Sequence, residues 1–155
     1  MTYLVRASVL SDLDAGTLHE LLKLRVDVFV VEQECAYPEI DGRDTESTTL
    51  HFWCEDEEGT PVATLRVLRD VAADGTYELR IGRVCVRADH RGTGAASELI
   101  DRAVAYIGRD SSVMDAQSHL VGMYAKWGYL PAGAEFVEDG IPHTPLRRNE
   151  GRSER

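Results

Sequence analysis

The chain has 155 residues, enough for one domain with a core of its own, and 43% of them are hydrophobic, too many for a disordered chain. Its 17 basic and 27 acidic residues give a net charge of −10. That balance argues against nucleic acid or an anionic membrane as partner, because both are held by basic surfaces, and it suits a cationic substrate such as an amine.

The first residues, MTYLVRASVL, lack the long apolar core and cleavage site of a signal peptide. No later run reaches membrane-spanning length, so a cytoplasmic location is expected. Residues 3–9 suit a short strand. Thr17-Leu-His-Glu20 has the form of a capping box. From there Leu18, Leu21, Leu22, Val28 and Phe29 recur at helical spacing and predict a helix of roughly 12–16 residues. The run Val28-Phe29-Val30-Val31 disfavours helix, so fraying is expected there. The polar stretch VEQECAYPEIDGRDTEST follows, and a loop of that length in a compact domain usually carries function. It reads either as a solvated acidic loop or as the wall of an amine pocket, with Glu32, Glu39, Asp41 and Asp44 supplying negative charge.

Residues 50–56 and 62–69 read as a hairpin closed by Glu57-Glu-Gly-Thr60. The turn Ala73-Asp-Gly75 leads into a strand at 77–87, where Leu79, Ile81 and Cys85 alternate with Gly82, Val84 and Val86. After RGTGAA, Ala96, Leu99, Ile100, Ala103 and Ile107 predict a helix over 95–108. Residues 112–116 suit a short strand. Residues 117–129 read as a short helix ending at Gly128, with Leu120, Met123, Tyr124 and Trp127 on one face. Two further strands are expected at 134–138 and 143–148, and an unpaired terminal strand would offer an edge for a homodimer. Residues 1–148 form the single expected domain, and the polar tail 149–155 is expected to be disordered.

The turn at 91–96 carries the strongest chemical signal. A helix start leaves its first backbone N–H groups unpaired and partly positive. Gly92 and Gly94 clear side chains from that start, and Arg91 adds a fixed positive charge, so the turn can hold an anion. Taken alone, it is also compatible with a plain tight turn. It is not a P-loop, because no Lys-Ser/Thr follows, and it lacks the spacing of a dinucleotide fingerprint.

The pattern R-x-x-G-x-A, in Arg91-Gly92-Thr93-Gly94-Ala95-Ala96 after the strand VCV, resembles the coenzyme A pyrophosphate loop of the GNAT superfamily of N-acetyltransferases. YAKWGY resembles the Y-x-x-x-G-F/Y helix of the same enzymes, with Tyr129 in place of the more usual Phe. Phe29-Val-Val-Glu-Gln33, then Tyr37-Pro-Glu-Ile-Asp-Gly42 and Asp44, is similar to the ElaA-like branch. The resemblance covers residues 3–148. It implies an α/β (α+β) fold: a mixed, mostly antiparallel sheet of six to seven strands with helices on both faces. Coenzyme A would lie where the fourth strand parts from the fifth.

Acetyl transfer from a thioester to an amine requires that the phosphates be held, the carbonyl positioned, the amine neutral and the departing thiolate protonated. The resemblance assigns the phosphates to Arg91, Gly92, Thr93, Gly94, Ala95 and Ala96. It assigns the pantetheine arm to the backbone of Val84, Cys85 and Val86, and to Gln117, where many members carry an Asn. It places Tyr124 near the thioester sulfur, and a phenol with a pKa near ~10 stays protonated and can donate there. Tyr124 also suits a core aromatic position. The general base is open among Glu32, Glu39, Asp41, His119, His143 and ordered water. His119 is preferred of the two histidines because it lies one turn before Tyr124. Glu32, Glu39 and Asp41 are the expected substrate-binding carboxylates.

Cys85 reads as a structural thiol rather than an acyl-enzyme nucleophile. Cys35, Cys54 and Cys85 lack disulfide or zinc spacing, and free buried thiols are expected. The five histidines are scattered, so no metal is expected. The implied activity is acetyl-CoA-dependent N-acetylation of a small-molecule or peptide amine by direct attack in a ternary complex. The alternatives are a non-catalytic acyl-CoA-sensing module and a transferase with a longer acyl chain or a non-amine acceptor.

Overall fold

The strand signals at 50–56, 62–69 and 77–87 meet at the centre of one sheet. In the computed structural model, which describes residues 3–149, β1 (Leu4–Ser8), β2 (Leu50–Glu55), β3 (Pro61–Val71) and β4 (Tyr77–Val86) pair antiparallel in sequence. β4 pairs in parallel with β5 (Ser112–Gln117), which pairs antiparallel with β8 (Ile141–Arg148). The short β6 (Leu130–Pro131) and β7 (Phe136–Glu138) both pair with β8. The sheet is mixed and mostly antiparallel, as expected. Among the described residues it has eight strands rather than six or seven, because the two-residue β6 is too short to leave an alternation in sequence. Of the tail 149–155, all but Asn149 lies outside the described residues.

Helices cover both faces. α2 (Ala95–Ile107) sets Leu99, Ile100, Ala103 and Ile107 into the main core with Phe52, Leu65, Val67 and Ile81. α1 (Ala15–Val26) and the turn after it cover the other face, where Leu24 and Val28 meet Cys85. The alternation expected along β4 breaks in the middle. Gly82 pairs with Arg66 and Cys85 with Thr64, so Arg83 and Val84 together oppose Leu65. This is a β-bulge, with Arg83 at φ +54°. One extra residue shifts the alternation: Val84 and Val86 join the α2 side, and Cys85 turns toward α1.

α1 departs from expectation at both ends. Its N-cap is Asp14, not Thr17; the Asp14 carboxylate accepts from the Thr17 backbone N–H at 2.7 Å. At the other end the Val28–Val31 run does not fray. Residues 27–32 continue as a π-helical turn, with Gln33 N–H donating to the Val28 carbonyl at 3.2 Å and Cys35 N–H to the Val30 carbonyl at 3.0 Å. The helix expected at 117–129 is a run of short turns around α3 (Val121–Tyr124), closed by Gly128 at φ +88°. Among the described residues no helix is long and apolar enough to cross a membrane.

The long acidic loop folds inward. Arg25, on the buried side of α1, donates to Glu39 at 2.7 Å and to Asp44 at 2.7 and 3.1 Å. Arg66 of β3 donates to Asp44 at 3.1 Å and to Asp41 at 2.9 and 2.6 Å. Arg83 donates to Glu39 at 2.9 Å, and the Tyr37 hydroxyl donates to the same carboxylate. Three arginines thus meet three carboxylates, and Arg25, Glu39, Asp44 and Arg66 are all buried. Burial acts to raise the Asp44 pKa, but hydrogen bonds from Arg25 and the charges of Arg25 and Arg66 outweigh it and hold it low. Hydrogen bonding from Arg66 holds the Asp41 carboxyl well below the usual carboxylate range.

Removing one partner from a buried ion pair leaves the other charge uncompensated. Asp44→Ala is therefore expected to lower stability by about 3–5 kcal/mol, read as the shift of the urea unfolding curve. The lowered carboxyls give a second test. The unfolded chain binds protons on these groups at a higher pH than the folded one, so their stabilisation is present above about pH 4 and lost as pH falls below it. Unfolding free energies measured from pH 6 to pH 2 are expected to fall through that window, with a shallower fall in Asp41→Asn.

Candidate functional site

β4 and β5 part early. Leu79 pairs with Ser112 and Arg80 with Val113, and the ladder stops there. The bulge at Arg83 and Val84 bends β4 away from its neighbour. A cavity of about 920 Å³ lies in the gap. It is lined by Val84, Cys85 and Val86 of β4, by Met114 to Gln117 of β5, and by Tyr124 of α3. The start of α2 and the π-helical turn complete its wall.

At the start of α2, Gly92 and Gly94 take φ +78° and +92°. Nothing lies within 4 Å of a Cβ built on either one, so the left-handed backbone, not crowding by the protein, reserves these positions for glycine. Gly94 is the N-cap and supplies no capping side chain. Glu98 N–H is the first amide to close back, onto the Gly94 carbonyl at 3.0 Å. The amides of Ala95, Ala96 and Ser97 precede it, and all three residues line the cavity. Ser97 escaped sequence reasoning because the matched motif ends at Ala96.

The remaining predicted residues divide. Arg91 lines the cavity, but its guanidinium grips the Glu32 carboxylate at 2.6 and 2.7 Å, and its Nε donates to the Val86 carbonyl at 3.0 Å. The Arg91 hydrogen bonds hold the Glu32 carboxyl below its ordinary pKa. Thr93 does not line the cavity: its hydroxyl donates to the His90 carbonyl and meets the Tyr3 hydroxyl, both at 2.5 Å. Gln117 lines it from the end of β5.

The three carboxylates expected to meet an amine are already engaged. Glu32 and Asp41 line the cavity, paired with Arg91 and Arg66. Glu39 is buried outside it between Arg25 and Arg83. Sequence reasoning missed Arg25, Arg66 and Arg83 as partners because they come from α1, β3 and β4 and meet the loop only in the fold.

Tyr124 is buried at 4% exposure, and burial pushes its hydroxyl up to about 12. Among the described residues that hydroxyl has no hydrogen-bond partner, and Tyr124 lines the cavity. The Cys85 thiol is also pushed up to about 12 by burial and packs on Leu24 and Val28, which suits a structural thiol. Cys35, Cys54 and Cys85 are all free, but Cys35 is only half-buried. His119 is exposed in the turn before α3, and His143 is half-buried on β8; both line the cavity. Among the described residues no group of three or more His, Cys, Asp or Glu could hold a metal ion.

Residues 19–149 match a family model described as an acetyltransferase (GNAT) domain. A UPF0039 protein from Mycobacterium tuberculosis is 48% identical over 156 residues, covering 100% of this chain and 99% of its own. Protein ElaA from Escherichia coli is 36% identical over 144 residues, covering 89% and 91%. The crystal structure of an acyl-CoA N-acyltransferase from Pseudomonas aeruginosa superposes with a TM-score of 0.86 at 34% identity, over 95% of this chain and 99% of that one. The crystal structure of Escherichia coli ElaA gives 0.85 at 30% identity over the same shares. With its split β4–β5 pair and open helix start, the chain belongs to the GNAT acetyltransferase family, in the UPF0039/ElaA-like branch.

Proposed function

We propose that the protein is an N-acetyltransferase that moves an acetyl group from acetyl-CoA to a primary amine by direct attack while both are bound. One observation carries the reading. The uncapped start of α2 and Tyr124, whose hydroxyl has no hydrogen-bond partner among the described residues, line one cavity at the point where β4 leaves β5. The crystal structure from Pseudomonas aeruginosa, 34% identical, is described as an acyl-CoA N-acyltransferase, which supports the same assignment.

The residues present fit such a co-substrate. The amides of Gly94, Ala95, Ala96 and Ser97 point partial positive charge from the helix end, as a diphosphate requires. Beyond Arg80 the β5-facing edge of β4 has no strand partner, so its backbone can pair with the amides of a pantetheine arm. Gln117 can donate and accept beside it. When bound, acetyl-CoA supplies an acetyl carbon activated as a thioester. Tyr124 stays protonated at neutral pH and gives its proton to the departing sulfur. Arg91 has Glu32 as its present anion. A diphosphate at the helix start can share the Arg91 guanidinium with that carboxylate, which stays paired, because each terminal nitrogen carries a second N–H.

Because Glu32, Glu39 and Asp41 are each matched by arginine, a net negative pocket is not what selects the acceptor. The acceptor is a primary amine on a small molecule or peptide.

Titration calorimetry with acetyl-CoA tests the cradle. Gly94→Glu strains the backbone and adds an anion, and Arg91→Glu reverses the gripping charge. Each is expected to weaken binding by at least about tenfold, or about 1.4 kcal/mol. A wild-type protein that gives no heat would sink the proposal. Tyr124→Phe tests the acid: its kcat in a thiol-release assay should fall about 100-fold, with acetyl-CoA affinity nearly unchanged. Equal losses in both would make Tyr124 a binding residue.

A further inference from the structure

We infer that His143, not His119, is the general base that takes the proton from the acceptor ammonium, an assignment that rests on the transferase reading above. His143 lies on β8 directly across from Gln117 of β5 and lines the cavity. Its Nδ1 is 2.8 Å from the Ile141 carbonyl oxygen. A carbonyl only accepts, so Nδ1 carries the proton, and the neutral ring keeps its lone pair on Nε2. Among the described residues Nε2 has no partner. The ring is also held in place. Phe136 stacks on it at 5.7 Å between centroids, and the neighbouring Thr144 hydroxyl bonds to Ser118 at 2.8 Å.

The competing groups lack this arrangement. His119 is exposed, and no hydrogen bond among the described residues fixes its tautomer. Glu32 and Asp41 are held by arginines, which makes them weak bases, and Glu39 lies outside the cavity. The charged and titratable groups lining the cavity with His143 include Glu138 and Asp139 at the β7–β8 turn, Asp115, His119 and Cys35, whose Sγ donates to the Asp139 carbonyl at 3.4 Å. Arg43, Arg66, Arg80, Arg83 and Arg91 line it too, with Glu32, Asp41, Tyr37, Cys85, His90 and Tyr124.

A free alkylamine, with a pKa near ~10.4, reaches the site protonated at pH 7. The ammonium gives one proton to Nε2, and the freed lone pair forms the bond to the thioester carbonyl carbon. The C–S bond breaks with its electron pair on sulfur, which takes the Tyr124 proton. The second proton lost from nitrogen returns to Tyr124 through solvent, and His143 releases its own. The balance is one amide, one thiol and one proton.

Two measurements test the assignment. Nitrogen-15 NMR of the histidine rings in the unliganded protein, with the His143 signal identified by its loss in His143→Asn, should show a protonated Nδ1 and a bare Nε2. A proton on Nε2 overturns the assignment. His143→Asn keeps an N–H near the position of Nδ1 and removes the lone pair of Nε2. With acetyl-CoA and a panel of the amino acids, their amides and aliphatic polyamines, its kcat/KM at pH 7 should fall about 100-fold. The deficit should shrink toward about pH 10, where the amine sheds its own proton, while acetyl-CoA affinity by calorimetry stays unchanged. A variant as active as wild type overturns this assignment alone. A wild type that binds acetyl-CoA and acetylates nothing in the panel overturns the transferase reading and this assignment together.

Discussion

Backbone amides and carbonyls must find partners, and a strand that leaves its neighbour exposes a row of them. β4 does this after two paired positions with β5, and the rest of the site is arranged around the exposed edge. The sheet tolerates the break because β4 keeps its ladder with β3 along nearly its full length. The bulge supplies the bend, and the gap ends where α2 begins, so a strand edge and a helix end face one space. Neither group needs a special side chain, which is why Val84, Val86, Ala95 and Ala96 can line a cavity with exposed backbone.

A second constraint holds the opposite face. α1 would cover Thr64 and Arg66 with apolar side chains if it followed a simple amphipathic pattern. Instead Arg25 projects from its buried side into a closed set of charges with Glu39, Asp41, Asp44, Arg66 and Arg83. Such a set gives little net stabilisation compared with apolar packing, but it is strongly directional. It fixes the path of the loop through 39–44, and through Arg83 it ties that loop to the bulge in β4. The position of the loop and the departure of β4 from β5 are thus linked by the same guanidinium.

The strand, glycine turn and helix from 77 to 107 were legible because their determinants are local: alternation, two glycines and helical spacing. The hairpin before them was legible for the same reason. The charge cluster was not, since its partners stand 14 to 44 residues apart, and Glu32, Glu39 and Asp41 read in isolation look like a negative surface. Asp14 displaced Thr17 as the cap because both offer an acceptor, and position relative to the first turn decides between them. The π-helical turn escaped notice because a branched run reads as a helix end, while a wider turn relieves the same crowding. His143 drew less weight than His119 in sequence because its significance lies in a strand register and in the Ile141 carbonyl, neither of which is local to α3.

The bulge has a consequence for how this strand can change over time. Up to Gly82 one set of β4 side chains meets α2; past Val84 the other set does. Losing one residue at 83 or 84 would leave a single residue opposite Leu65, so the ladder would run regularly and Cys85 and Val86 would keep their present sides. What would vanish is the bend that carries β4 away from β5, and with it the gap. The strand would become more regular and the cavity would close. The turn at 72–76, solvent-exposed and closed by its own hydrogen bonds, can absorb a length change without touching that bend.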